Sequence, residues 1–180
     1  MSQNNSGSWR ARNKPYIYAV VFAILLTFFI APEVMDDKSM SPEIDKGSVI
    51  IMTKQSYSAK RGAPDLGTVV VMEKNYAPKV SDDNIVARVV GKPKDTVEIK
   101  GGKLYRNGKE YKVKGANGDL GKSMKVKVDE DSVFLLCDNR DCKTDSRNSK
   151  LGTVSMKEIK GDAKMIIWPF SDFGKVGKNE

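Results

Sequence analysis

An uncharged apolar run near the start of the chain constrains its fold more than any other feature. Residues 15–32 read PYIYAVVFAILLTFFIAP and contain no charged side chain. A helix that crosses a bilayer needs about 20 mostly apolar residues, and this run comes close to that length. Tyr16 and Tyr18 lie at its first end, where aromatic rings favour the membrane interface. The run therefore predicts a transmembrane anchor at residues 15–33.

The charges before the run predict its orientation. Residues 1–14 carry arginine and lysine but no acidic residue. By the positive-inside rule this tail is cytoplasmic, the anchor is single-pass in the cell membrane, and residues 34–180 form an extracellular domain. A cleaved secretory signal peptide is the alternative, because a basic start and a short apolar core are typical of one. The sequence after the run lacks a clear small-x-small cleavage site, which favours the uncleaved anchor.

The composition excludes several classes of function. The net charge of +8 arises from 31 Lys and Arg against 23 Asp and Glu, but the basic residues are spread along the chain, so nucleic acid is not a predicted partner. A basic domain beside a bilayer is instead attracted to anionic lipid head groups. The absence of histidine excludes a Ser-His-Asp triad and a histidine metal site, and no metal or cofactor is predicted.

The exported part has the pattern of a mainly β protein with a small sheet or barrel-type architecture. Short β-branched runs bounded by glycine or proline predict strands, and Gly101-Gly102 and Asn107-Gly108 predict hairpin turns. The one soluble helix that the sequence suggests lies near SMKEIKG, residues 155–161. The predicted strand regions are residues 47–54, 67–74, 84–91, 95–113, 131–138 and 163–170.

The chain has two cysteines, Cys137 and Cys142. An exported domain allows a disulfide between them. Their short separation restricts the geometry, and the sequence leaves open whether they are joined.

Five segments resemble, in the same order, the conserved boxes of type I signal peptidases of the compact Gram-positive type. They are SMSPEIDKGSVIIM (39–52), LGTVVVMEK (66–74), ARVVGKPKDTVEIKGGKLYRNGK (87–109), CDNRDCKTDSR (137–147) and GDAKMIIWPFSDFG (161–174). The resemblance implies a signal-peptidase-like β-sheet domain and a serine endopeptidase that cleaves signal peptides from exported pre-proteins after a small-x-small sequence. In that family a serine nucleophile is paired with a lysine base.

The catalytic residues transfer only in part. Ser39 matches the nucleophile, but Ala87 stands at the usual position of the base lysine, and Lys143 replaces a serine that lies beside that lysine in the family. We hypothesise that the amine has moved, so that Lys143 accepts the Ser39 proton. Such a lysine must be neutral, and burial lowers the pKa of an amine.

Other residues of these boxes have expected roles or depart from the family pattern. Asp37 replaces a small residue near the oxyanion hole, Glu43 replaces a threonine, and Cys137 replaces a glycine. Backbone N–H groups near Ser39 are expected to stabilise the oxyanion. Substrate is expected to add as a strand beside residues 84–87. Three side chains are predicted to contact substrate, namely Met40, Ile85 and Val86, with Met40 also a candidate for lipid contact. A supporting charge and hydrogen-bond network is predicted from Asp138, Arg140, Asp145, Ser146 and Arg147.

Three alternatives remain beside the relocated base. Lys143 is an ordinary solvated lysine in the first. In the second, the chain is a non-catalytic relative that assists pilin assembly, as signal-peptidase-like proteins in pilus gene clusters do. In the third, Ala87 is an introduced Lys→Ala change.

Overall fold

A computed structural model describes residues 6–73 and 84–177 of the 180-residue chain. They form one long helix and twelve strands. These are α1 (Ser6–Phe29), β1 (Ile30–Val34), β2 (Val49–Lys54), β3 (Val69–Met72), β4 (Ile85–Gly91), β5 (Thr96–Lys100), β6 (Lys103–Arg106), β7 (Lys109–Glu110), β8 (Met124–Lys127), β9 (Ser132–Leu136), β10 (Val154–Ser155), β11 (Ile159–Trp168) and β12 (Gly174–Lys175).

The predicted anchor corresponds to α1 only up to Phe29. Residues 30–33 instead belong to β1, which pairs with β2 alone. Pro32 fits this place, because a residue without an N–H is tolerated on an edge strand. Among the described helices, none reaches the combination of length and hydropathy that a membrane crossing requires. The first five residues of the predicted cytoplasmic tail lie outside the described residues.

The prediction of a mainly β domain is confirmed, and its large sheet is curled into a half-barrel. Eight strands form one sheet in the order β1-β2-β11-β3-β4-β9-β10, with β12 added to β11. Four strands form a second sheet in the order β7-β6-β5-β8. The pairings between the named strands are antiparallel, and irregularities interrupt the register of β11 and of β4. Such bulges bend a sheet locally.

The predicted helix at residues 155–161 is wrong. Met156–Glu158 form a single 3₁₀ turn, and Ile159 already begins β11. Gly161 then pairs with both Lys54 of β2 and Val71 of β3. Pairing on both sides in the middle of the large sheet therefore overrides the local helical preference.

Three clusters of buried apolar side chains form the core, and the third joins the two sheets. Strand β4 supplies residues to all of them, because its successive side chains point to opposite faces. Ala87 and Val89 belong to the first cluster, Val86 to the second, and Val90 to the third, which lies against the small sheet. Strand β4 therefore packs in all three clusters, and it also carries position 87 of the candidate site.

Candidate active site

Ser39 lies in the loop between β1 and β2 and is held against the loop that follows β9. The Ser39 carbonyl accepts the Asn139 backbone N–H at 2.9 Å, and the Lys38 carbonyl accepts the Asn139 side-chain amide at 3.1 Å. Ser39 is 3% exposed, and its hydroxyl donates to the Val86 carbonyl of β4 over a long 3.4 Å. The fold thus fixes the predicted nucleophile beside β4, but its one described hydroxyl partner is a carbonyl group.

The backbone N–H of Ser39 is occupied. It donates to the Asp37 carboxylate at 2.9 Å in a local turn of the Asx type. An oxyanion hole needs N–H groups directed at the position where negative charge develops. Here one such donor is bound by an acceptor that is itself negatively charged. In this conformation Asp37 therefore occupies the Ser39 N–H, and the expectation that backbone N–H groups near Ser39 stabilise the oxyanion stays a prediction.

Ala87 occupies the base position and is fully buried in an apolar cluster with Val89 and Leu135. Strands β4 and β9 pair Val89 with Leu135 and Arg88 with Leu136. Continuing this register by one residue sets Ala87 beside Cys137 on the same face of the sheet. A methyl group and a cysteine thus stand where the family has a lysine and a glycine.

Cys137 and Cys142 are joined in a disulfide, with Cα atoms 6.4 Å apart. The question that the sequence left open is answered by this bond. Asp145 brings a carboxylate oxygen within 4.8 Å of both sulfur atoms. The group does not offer two thiolates to a metal, because the sulfur atoms are bonded to each other.

Lys143 follows the disulfide and is exposed. It borders an open groove of about 590 Å³ together with Lys122 and Arg147. The Ser39 hydroxyl and the Lys143 amine do not form a hydrogen bond among the described contacts. The structure therefore places the two residues of the hypothesised dyad in neighbouring loops without bringing their reactive atoms together.

Arg88 is the centre of a buried charge network. Its guanidinium donates to Asp138 at 2.8 and 2.5 Å and to Glu43 at 2.8 Å, and it also reaches the Gly67 and Gly177 carbonyls. Burial lowers the pKa of Arg88, but the hydrogen bonds and charge of Asp138, followed by those of Glu43, outweigh it and raise the net pKa. Glu43 thus has a structural role as a partner of Arg88.

A second set of contacts holds the loop after β9. Asp145 accepts the Cys137 N–H at 3.1 Å and pairs with Arg147, with a shortest separation of 2.9 Å. The Ser146 hydroxyl accepts the Leu135 N–H at 2.9 Å. The predicted supporting residues are thus divided between two ion-paired groups, one at Asp138 and one at Asp145. Arg140 bonds to neither group through its side chain.

The predicted substrate-contacting side chains are buried in this conformation. Met40 is fully buried with Ile50 and Met52, so it is core in place of a lipid contact. Val86 packs in the same cluster, and Ile85 packs on the opposite face of the sheet. Ile85 and Val86 are both buried because successive side chains of β4 point to opposite faces of the sheet, and both faces are covered.

One backbone edge at the site is open to a further strand among the described pairings. Residues Ile85, Val86 and Ala87 pair with β3 on one side, whereas the described pairing with β9 begins only at Arg88. The Val86 carbonyl faces Ser39 across this edge. The arrangement has an acceptor in the place where an added peptide strand would present an N–H.

The structure is thus a mainly antiparallel β domain with a buried serine at a half-open strand edge. The model of the family "Signal peptidase, peptidase S26" matches residues 10–168. Signal peptidase I S of Bacillus subtilis is 34% identical over 176 residues, covering 90% of each chain. Signal peptidase I of Bacillus amyloliquefaciens is 32% identical over 177 residues, covering 90% of this chain and 89% of that relative.

A relative from another genus agrees with these matches. Signal peptidase IB of Staphylococcus aureus is 31% identical over 177 residues, covering 86% of this chain and 88% of its own. The chain therefore belongs to the peptidase S26 family of signal peptidases, and the resemblance seen in its sequence boxes is confirmed.

Proposed function

We propose that this protein binds the cleavage region of signal peptides on exported pre-proteins and holds it at Ser39 without efficient hydrolysis. The observation that carries the proposal is the bond from the Ser39 N–H to the Asp37 carboxylate, which occupies an oxyanion donor. The alanine at position 87, in place of the family's base, supports it independently. Family membership supports the class of ligand.

The binding mode follows from the open edge of β4. An extended segment added beside Ile85–Ala87 donates an N–H to the Val86 carbonyl and displaces the Ser39 hydroxyl from its 3.4 Å contact. Main-chain hydrogen bonds of this kind give affinity whatever the side chains are. The preference for a small-x-small sequence in the ligand is what the family resemblance implies.

The expected loss of catalysis is large. A missing general base costs roughly 10²–10⁴-fold in rate. A missing oxyanion donor costs roughly 10²–10³-fold. If the two defects act independently, hydrolysis is about 10⁴–10⁷-fold slower than in a protein that has both groups.

A Ser39–Lys143 endopeptidase is the second candidate. Its support is that Lys143 follows Asn139 in the same loop, and Asn139 holds the Ser39 carbonyl. The exposed amine has to leave solvent, approach Ser39 and lose its proton before it can act as a base. The relocation remains a prediction, as do the role in pilin assembly and the introduced change at Ala87.

We further propose that α1 anchors the protein in the cell membrane with its β domain outside. The support is the exposure of apolar side chains all around the helix, among them Tyr16, Phe22, Leu25 and Phe29. A helix that is apolar on all sides needs an apolar environment. The Cys137–Cys142 disulfide supports an extracytoplasmic domain, because disulfides persist in oxidising compartments.

The proposal is tested with the full chain in detergent and a fluorescent signal-peptide substrate that ends its leader with Ala-x-Ala. We expect saturable binding by fluorescence anisotropy and no shortened product by mass spectrometry. A peptide with Phe in place of both alanines is the matched control and is expected to bind more weakly. Absence of binding to the Ala-x-Ala peptide would remove the proposal.

Three variants separate the two candidates. Under the binding proposal, Ser39→Ala and Lys143→Ala both leave product formation at background, and Lys143→Gln does the same. Under the relocated-base hypothesis, wild-type protein releases the mature fragment, and Ser39→Ala and Lys143→Ala each abolish that release. Cleavage that requires both Ser39 and Lys143 would establish the endopeptidase function and contradict the binding proposal.

A further inference from the structure

The segment that follows β12 returns to the loop that carries Ser39. Val176 donates its backbone N–H to the Lys164 carbonyl of β11 at 3.0 Å. Its side chain is buried in the second core cluster, which also contains Met40 and Val86. Met40 directly follows Ser39, and Val86 supplies the carbonyl that contacts the Ser39 hydroxyl. Val176 therefore packs where the Ser39 loop meets β4.

Gly177 is held at both of its backbone polar groups. Its N–H donates to one oxygen of the Glu43 carboxylate, and its carbonyl accepts a hydrogen bond from Arg88 at 2.7 Å. The second oxygen of Glu43 accepts from Arg88 at 2.8 Å. The Gly177 backbone and the two side chains thus form a closed ring of hydrogen bonds, which we call the Gly177 clamp.

The two side chains of the Gly177 clamp belong to the two elements that form the candidate site. Glu43 lies four residues after Ser39 in the loop between β1 and β2. Arg88 lies two residues after Val86 on β4, so both point to the same face of the sheet. The Gly177 clamp therefore joins the loop that carries the serine to the strand whose edge is open.

The Gly177 clamp depends on a residue that departs from the family pattern. Glu43 stands where that pattern has a threonine. A threonine has one short hydroxyl, whereas the Glu43 carboxylate presents separate oxygens to Gly177 and to Arg88. Hydrogen bonds to an ionised group are also stronger than those between neutral groups. The Gly177 clamp is therefore a feature of this chain that the family pattern does not supply.

We propose that Glu43 is a positioning residue, and that the segment after β12 fixes the Ser39 loop against β4 through the Gly177 clamp. A site that is already in place loses less conformational freedom when it binds an extended peptide. Release of the Gly177 clamp is therefore expected to loosen Ser39 and to weaken binding at the β4 edge. The effect on binding rests on the proposed function, whereas the coupling between Gly177 and Ser39 does not.

The coupling is tested without a ligand, by amide hydrogen exchange of the full chain in detergent with ¹⁵N-labelled serine. Gly177→Pro removes the N–H that Glu43 accepts, and we expect the Ser39 amide to exchange about threefold faster or more, because its loop opens more often. Ser39→Ala identifies the signal. Gly177→Ala is the matched control, since it keeps the N–H and its added Cβ meets only the flexible end of Glu43, at 3.2 Å. Unchanged exchange of Ser39 in Gly177→Pro overturns the proposal.

The effect on binding is measured by fluorescence anisotropy with the Ala-x-Ala peptide, at a temperature where circular dichroism shows each variant to be folded. Glu43→Thr and Gly177→Pro are each expected to weaken the affinity by about fivefold or more, a size typical of coupling within one network. The double variant should bind no more weakly than Glu43→Thr, because both changes release the same clamp. Glu130→Thr, the same exchange at an exposed ion pair with Lys94, should leave the affinity unchanged.

These measurements separate positioning from a purely structural role. If Glu43 only stabilised the fold, Glu43→Thr would lower the unfolding temperature and leave the affinity of the folded protein at the wild-type value. That result, or effects that multiply in the double variant, overturns the proposal. No binding of the peptide by wild-type protein removes the proposed function, and the exchange of Ser39 then decides the coupling alone. Should Gly177→Pro fail to fold, the exchange of Ser39 in Glu43→Thr takes its place.

Discussion

Relative to the family pattern, side-chain volume is exchanged between the neighbouring positions 87 and 137. The pattern of the family has a long lysine opposite a glycine. This chain has Ala87 opposite Cys137, and both residues are fully buried. Protein interiors tolerate changes best when total volume is kept. The disulfide to Cys142 then fixes the sulfur in the enlarged position.

This exchange predicts which substitutions restore peptidase activity. Ala87→Lys alone is expected to stay inactive, because Cys137 borders the space and Asp37 still holds the Ser39 N–H. Four further substitutions remove these obstacles. Asp37→Ser frees the Ser39 N–H, and Cys137→Gly with Cys142→Ser makes room for the new lysine side chain. Lys143→Ser supplies the serine that lies beside this lysine in the family. We expect hydrolysis of an Ala-x-Ala signal peptide to rise by at least about 10³-fold. The measurement is the rate of product formation by mass spectrometry.

The same five-substitution protein with Ser39→Ala is the control and should return to background. Equal activity in both proteins would mean that the gain does not pass through Ser39. A fully active Ala87→Lys single variant would contradict the roles given to Asp37 and Cys137.

At the residue scale, the sequence predicts positions better than contacts. The sequence identifies Ser39 and the alanine at the base position 87, because each stands at a fixed place within a segment that resembles the family. The sequence does not reveal that the Arg140 side chain lacks a described hydrogen bond to a carboxylate, because this depends on which carboxylates pair with Arg88 and Arg147. Those choices are made by tertiary packing, which residue spacing along the chain does not encode.

At the scale of the elements, β11 and β2 approach each other closely at Gly161. A Cβ added there would lie 2.0 Å from the Thr53 carbonyl oxygen. Gly161→Ala therefore has to push two paired strands apart, and we expect it to lower the free energy of unfolding by about 3 kcal/mol or more. Urea unfolding followed by circular dichroism measures the change.

Gly174→Ala in β12 is the matched control. An added Cβ there meets nothing closer than 3.9 Å, and the residue does not need positive φ. Its effect is expected to stay within about 0.5 kcal/mol. Equal destabilisation by both substitutions would show that the close approach at Gly161 is not the cause.

The corner between β4 and β5 predicts a dependence of stability on pH. Asp95 accepts hydrogen bonds from the Lys92 N–H at 2.8 Å, from Arg106 at 2.6 Å and from Asn107 at 2.7 Å. Burial raises the pKa of Asp95, but these bonds outweigh it, and the net pKa falls below its ordinary 3.8. A lowered folded pKa stabilises the protein above about pH 4, and this stabilisation is lost as the pH falls through the ordinary value to the folded one.

Asp95→Asn tests this corner. At pH 7 the variant is expected to be less stable by about 1–3 kcal/mol, because hydrogen bonds to a charged acceptor are weakened. The difference from wild-type protein should shrink as the pH falls below 3.8. Thermal unfolding of both proteins, in pH steps of about 0.5 unit between pH 2.5 and pH 7, measures this difference in stability. A difference that grows in acid would contradict the sign of the pKa change.

The strands that the sequence predicted best are those made mostly of apolar residues, such as β4 and β9. Strand β1 was missed because its residues continue the apolar run of α1, and only pairing with β2 separates them. Strand β8 was missed because MKVK follows a glycine-rich loop, and its strand conformation depends on pairing with β5. Partners distant in sequence decide these cases.

On the scale of the whole molecule, the two sheets share one core and are expected to unfold together. Phe134 and Leu136 of β9 and Val90 of β4 pack against Val97 and Ile99 of the small sheet. Phe134→Ala is expected to cost about 3–5 kcal/mol. It should lower one cooperative transition without splitting it into two, as followed by calorimetry.

Phe173→Ala is the control, because Phe173 is 59% exposed and lies outside the three core clusters. It is expected to leave the transition almost unchanged. Two separate transitions in the Phe134→Ala protein would mean that the small sheet is an independent folding unit.

The carboxylate on the Ser39 N–H has a quantitative consequence for the cell. A protein that turns over its ligand affects many molecules per copy, whereas one that only holds it withdraws one ligand for each copy made. Under the proposed binding function, its influence on export scales with its abundance relative to the pre-proteins that it binds. Gene dosage, more than any rate constant, would set the size of the effect.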